Sequence, residues 1–180
     1  MLTALLALTA GMMQAQENFF TKSGKIFFSS KAPMENIDAY NKSTTCVLDT
    51  KTGNMQFAVL MKGFEFEKAL MQEHFNENYV ESDKFPKAEF KGLIDANDAV
   101  NYSKDGTYAV KVKGKLTIHG ETRDVEANGK MVVQNGKVNA FADFTIALSD
   151  YKIAIPGLVA DKVSKTAKIS VACQLELFKG

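Results

Sequence analysis

The sequence predicts an all-β domain in which eight antiparallel strands close into a barrel, with one short helix inserted between the third and fourth strands. Three observations carry that expectation. Apolar residues recur at every second position through most of the chain, the mark of strands with one buried face. Turn signals separate these runs, Lys51-Thr52-Gly53-Asn54 and Asn135-Gly136 being the plainest. One stretch, Glu65 to Tyr79, breaks the alternation and is rich in helix formers.

Taken in order, Asn18 to Ser30 alternates loosely around Ile26 and Phe28, and Lys42 to Thr50 follows as a second strand. Asn54 to Lys62 alternates clearly, with Met55, Phe57, Val59 and Met61 on one face. In the helical stretch, Leu70 with His74 and Met71 with Phe75 form i,i+4 pairs. Strand character resumes at Lys87 to Ile94, after Pro86. Thr107 to Ile118 then places Tyr108, Val110, Val112, Leu116 and Ile118 opposite Lys111, Lys113 and Lys115, apolar inward and charged outward. Glu121 to Gln134 and Lys137 to Leu148 are joined by Asn-Gly, and Ser164 to Phe178 closes the chain with Ile169, Val171, Cys173, Leu175 and Leu177 aligned. Strands of this length favour a barrel over a short-stranded sandwich, and a barrel of about eight strands is just wide enough for one ligand.

The bulk composition narrows the function classes. With 180 residues, 46% of them hydrophobic, the chain is long enough for one domain with a sizeable core. The net charge is +1 with no basic block, which argues against a phosphate-binding surface and hence against a nucleic-acid partner. Thirteen Phe against no Trp point to a Phe-rich interior. Met1 to Met13 (MLTALLALTAGMM) is apolar, uncharged and too short to span a bilayer. It fits the hydrophobic region of a secretory signal peptide with cleavage after Ala15, leaving residues 16–180 as a single domain, periplasmic or otherwise exported, without a transmembrane segment. No cysteine follows the run to carry a lipid anchor. Cys46 and Cys173 are too far apart for a metal-type pair and are expected as buried free thiols, although export would permit a disulfide.

The catalytic inventory is poor. There are two histidines, no Gly-x-Ser-x-Gly elbow, no His-Glu-x-x-His, no Cys-x-x-Cys and no glycine-rich phosphate loop. His74 is expected on the helix as a surface or cap-packing residue. His119, in Lys115-Leu-Thr-Ile-His-Gly-Glu-Thr-Arg-Asp-Val125, is expected in a tight hairpin whose unusual dihedral Gly120 supplies. Glu121, Arg123 and Asp124 are expected as solvated charges. No catalytic residue, metal site or cofactor is predicted, and an enzyme is disfavoured.

Four stretches add a resemblance. KFPKAEFKG (84–92), GKLTIHGETRDV (114–125), FTIALSDYKIAIP (144–156) and KVSKTAKISVACQLEL (162–177) are similar in order and spacing to the YceI-like family, over about Ile26 to the C-terminus. The resemblance implies a lipocalin-like barrel, export, and an elongated apolar lumen holding a polyisoprenoid or a similar amphiphile such as an isoprenoid quinone. One departure is visible: where many members carry His-Ser in the first strand, this chain has Thr21-Lys-Ser-Gly-Lys-Ile-Phe-Phe-Ser-Ser30.

The expected function is an exported carrier or scavenger of a long isoprenoid or acyl lipid, with lumen contacts from Phe57, Val59, Met61, Phe90, Val112, Leu116, Ile118, Phe144, Ile146 and Val171. A head group would sit at the mouth, near the helix or the Ser149 to Lys165 loop. Two rival readings stand beside it: a structural module whose filled core binds nothing, and an accessory protein handling an isoprenoid quinone. Oligomeric state is left open, a dimer included.

Overall fold

The chain is described by a computed structural model over residues 18–32, 36–157 and 163–178. Its strands are β1 (Asn18–Lys31), β2 (Asn36–Asp49), β3 (Asn54–Leu60), β4 (Phe64–Phe66), β5 (Lys87–Asp95), β6 (Gly106–Ile118), β7 (Glu121–Gln134), β8 (Lys137–Ala147) and β9 (Thr166–Leu177). All pairings are antiparallel and mostly between sequence neighbours. β1 pairs with both β2 and β9, so the sheet closes into an eight-stranded barrel. Closure leaves no long free edge. The short β4 lies outside that count, extending the β3 side of β2 through Ala39↔Phe66 and Asn41↔Phe64.

The break between β3 and β4 has a local cause. Asn41, fully buried, donates from Nδ2 to Leu60 O at 3.0 Å and accepts from Ser43 N at 2.9 Å. The side chain thereby occupies the position at which β3 would continue its ladder with β2, and the chain turns through Met61–Gly63. Phe64 and Phe66 then return inward before helix α1 (Ala69–His74) and a π-helical turn, Phe75–Tyr79. The helix expected over Glu65 to Tyr79 is therefore shorter at its start, because Glu65 and its neighbours pair with β2. Leu70 does not join the buried face: it is 60% exposed, while Met71 and Phe75 turn inward. β2 begins at Asn36, six residues before the expected Lys42. Its first half, Asn-Ile-Asp-Ala-Tyr-Asn, carries only two apolar inward residues, Ile37 and Ala39, too weak an alternation to stand out.

The interior divides into two clusters. At one end Phe19, Cys46, Leu48, Met55, Ile94, Met131, Val133, Val138, Cys173 and Leu175 interlock with little or no exposure. Val100 and Tyr102 close that end from the β5–β6 loop. Tyr102 donates its hydroxyl to Asn97 Oδ1 at 2.7 Å, and Asn97 Nδ2 donates to Thr50 O at 2.8 Å. Cys46 and Cys173 are buried free thiols on either side of β1. The bulge there requires Gly24, whose added Cβ would lie 2.5 Å from Cys173 Sγ and 3.0 Å from Thr44 O. A hydrogen bond to Cys173 and burial hold the Cys46 thiol above the ordinary thiol range.

At the other end Ile26, Val59, Met61, Phe64, Phe75, Leu116, Ile146, Leu148 and Tyr151 form a second cluster under α1 and the 3₁₀ turn Leu148–Tyr151. Between the two lies a waist. Gly92 and Gly114 face each other across β5 and β6, and the Phe90 ring lies over both; a Cβ at either would come within 2.4 Å or 2.7 Å of Phe90 Cζ. Phe57 meets Phe90 edge-on at 6.0 Å. No helix among the described residues is long and apolar enough to cross a membrane.

Candidate functional site: an apolar cavity in one half of the barrel

Above the waist the barrel is hollow. A cavity of about 280 Å³ runs from Met55, Val110 and Met131 up to the helical segment, at the lower edge of the range typical of small-molecule sites. The hollow follows from side-chain size. Inward positions on β7 and β8 carry Ala127, Gly129, Ala140 and Ala142, so the wall opposite the phenylalanines of β1, β3 and β5 is thin. Inward residues here, Phe28, Phe66, Ile118, Val125, Phe144 and Ile169 among them, pack on the core yet keep partial exposure because they border open space.

All ten residues expected to face the lumen line this cavity: Phe57, Val59, Met61, Phe90, Val112, Leu116, Ile118, Phe144, Ile146 and Val171. Others on its wall were not singled out from sequence. Ile37 begins the hidden half of β2. Met71, His74, Phe75 and Tyr79 come from the helical segment, and Ile153 and Val163 from the β8–β9 connection. Phe75 gathers the aromatic roof, with ring centroids 5.0 Å from Phe66, 5.6 Å from Phe64 and 6.0 Å from Phe28. The π turn that begins at Phe75 shifts the helical register within that roof.

Polar groups on the wall are few. Among the described lining residues only Ser30, His74, Tyr79 and Glu89 carry polar side-chain atoms, and neither lysine nor arginine is among them. Ser30 continues the inward face of β1 after Ile26 and Phe28, is 1% exposed, and its hydroxyl has no hydrogen-bond partner among the described residues. A buried hydroxyl without a partner costs about 1–3 kcal/mol. Burial raises the Tyr79 hydroxyl above its ordinary range.

The rim around the cavity is tied together by polar contacts that sequence reasoning did not anticipate. His119 and Gly120 form the two-residue β6–β7 turn, both with positive φ, 51° and 76°, as a type I′ hairpin requires. The imidazole then does more than occupy a turn. Its Nδ1 donates to Tyr151 O at 3.0 Å, its Nε2 lies 2.7 Å from Glu81 Oε2, and Phe85 packs edge-on at 4.6 Å. One side chain thus joins the hairpin, the α1–β5 connection and the β8–β9 connection. Glu121 and Arg123 also depart from free solvated charges: Glu121 meets Lys152 at 2.6 Å and Arg123 at 3.1 Å. These contacts, Lys152 first, hold the Glu121 carboxyl below the usual carboxylate range. Asp124 pairs on the outer surface with Lys115 at 2.8 Å. Among the described residues no group of three or more His, Cys, Asp or Glu side chains comes together as a metal site would need.

A closed antiparallel barrel with a one-ended apolar cavity defines a lipocalin-like architecture. The YceI-like domain family matches residues 11–175, so the chain belongs to the YceI-like family. Solved structures agree in fold at low sequence identity. A polyisoprenoid-binding domain from Saccharophagus degradans superposes with TM-score 0.78 at 12% identity, covering 91% of this chain and 99% of that one. BcnA of Burkholderia cenocepacia gives 0.67 at 16% identity, covering 84% and 95%. A YceI protein of Campylobacter jejuni gives 0.52 at 13% identity, covering 99% and 94%. A search of curated protein sequences returns no match.

Proposed function

We propose that this protein is an exported carrier or scavenger that shelters one isoprenoid or acyl chain in the hollow half of its barrel. The observation that carries the reading is the nearly unbroken apolar wall of the cavity, where thirty-one of the thirty-five described lining residues lack a polar side chain. Family membership and the polyisoprenoid-binding domain of S. degradans support it. The ten lumen residues named above would supply the contacts. The mechanism is burial, with no bond made or broken: removing apolar surface from water contributes roughly 25 cal/mol per Å². An isoprenoid quinone is one ligand with the required tail.

The test is extraction. Protein purified from its own host is analysed by native mass spectrometry and by solvent extraction of the bound material. The reading predicts a co-purifying isoprenoid or acyl compound at about one per chain. Protein that is always empty, and that takes up neither prenyl nor acyl probes, would instead favour a structural module that binds nothing, although the cavity already departs from the filled core expected of one. The quinone-handling alternative predicts that His74→Ala with His119→Ala abolishes any redox activity on the bound compound.

Export rests on Met1–Ala15, which lies outside the described residues. Cell fractionation with mass analysis of the mature N-terminus should find chain beginning near Gln16 in the periplasm. Full-length chain in the cytosol would overturn that part of the proposal.

A further inference from the structure

The cavity wall distinguishes between head groups as well as accepting a tail. Among the described residues no lysine or arginine lines it, so a phosphate or carboxylate drawn in against this wall would be buried without a counter-charge from them. Of the polar side chains on the wall, Ser30, His74, Tyr79 and Glu89, the serine is the one placed there deeply buried and without a partner among the described residues. Ser30 Oγ is buried, without a hydrogen-bond partner among the described residues, and on the inward face of β1, beside its cross-strand partner Ile37 at the upper end of the cavity. His74 and Tyr79 border the same space from the helical segment. Ser29 is buried and unpartnered too, but strand alternation turns it away, and it does not line the cavity.

We propose that Ser30 is the polar anchor of the site and that the ligand is an amphiphile with an uncharged oxygen head, an alcohol or a ketone-type carbonyl. The head hydrogen-bonds Ser30 beneath the helical roof, and the tail descends toward Phe57, Phe90 and Met131. This assignment rests on the lipid-binding reading and sharpens it: ligands with the same tail are ranked by the charge of the head. A hydroxyl serves either kind of head, since it donates to a carbonyl and accepts from an alcohol.

The test uses the whole mature protein and three probes built on one branched carbon skeleton: farnesol, farnesyl diphosphate and the saturated hydrocarbon farnesane. Farnesol should bind about ten-fold or more tightly than the diphosphate, because the charged head finds no partner inside. Ser30→Ala should weaken farnesol about five-fold, the value of one net hydrogen bond, and leave farnesane unchanged. Ser29→Ala should leave all three affinities unchanged. Equal binding of alcohol and diphosphate, or farnesol binding indifferent to Ser30→Ala, would overturn the anchor while leaving lipid binding intact. Failure of all three probes to bind the wild-type protein would overturn both readings. Should Ser30→Ala not fold, the wild-type protein alone decides. The carbonyl stretch of bound farnesylacetone should shift to lower frequency as in a hydrogen-bonding solvent, and a frequency matching that in alkane would refute the anchor.

Discussion

The two ends of this barrel are built from the same residue classes on the same strands, and only one of them is full. At the packed end Leu48, Met131, Val138 and Leu175 lie 0–2% exposed against one another. At the hollow end Val125, Phe144 and Ile169, the inward residues of β7, β8 and β9, keep partial exposure to the cavity they border. The difference comes from volume. The small inward residues Ala127 and Ala142 leave one wall of the cavity thin, and Phe90 folds over Gly92 and Gly114 to form a waist. Hydrophobicity alone made both ends; the distribution of small side chains decided which one could admit a guest.

The largest expected break in that comparison is a matched pair of truncations. Leu175→Ala, in the packed end, should cost about 2–5 kcal/mol by chemical denaturation, since the space it leaves cannot collapse. Phe144→Ala, in the hollow end, should cost no more than about 2 kcal/mol, because its ring already faces open space. It should weaken lipid binding more than Leu175→Ala does. Equal stability losses would mean the two ends are packed alike.

Gly24→Ala comes next. Its Cβ would press on Cys173 Sγ and Thr44 O, and a destabilisation of about 1–3 kcal/mol is expected. In a Cys173→Ala background the same change should cost less, which a double-mutant cycle would read as favourable coupling. A cycle showing no coupling would place the strain elsewhere.

His119→Ala should cost about 1–2 kcal/mol through its lost hydrogen bonds, with the effect confined to the hollow end. Hydrogen exchange should quicken at residues 81–85 and 148–151 and stay unchanged around Val133 and Leu175. The smallest effect concerns acid. Because Lys152 and Arg123 depress the Glu121 carboxyl, its contribution is present above the ordinary value of 4.5 and is lost as the pH falls through the lower folded value. Glu121→Gln should flatten that part of the acid-side decline in the denaturation midpoint. An unaltered profile would assign the decline to other depressed carboxylates, such as Asp95, Glu126 or Asp143.

Much of this was legible beforehand. Period-two alternation placed β3 and β5 to β9 to within a few residues, and it set all ten expected lumen residues on the cavity wall. What it could not supply was long-range. Gly92 and Gly114 become a pair only once the β5–β6 register is known. His119 looked like a turn residue because its partners Glu81 and Tyr151 lie 38 and 32 positions away. Ser30 was hidden by its polarity, since a serine at the end of an apolar face suggests a strand terminus. Hollow and packed ends call for the same apolar letters, so the cavity had no one-dimensional signature.

The account turns on the hollow end accepting a chain and the packed end refusing it. A titration of primary prenols of increasing tail length tests this directly. Affinity should rise by roughly four-fold per buried methylene, about 0.8 kcal/mol each, and then level off once the tail meets Phe57, Phe90 and Met131. Affinity that shows no dependence on tail length, or that climbs without a plateau, would contradict a half-filled barrel.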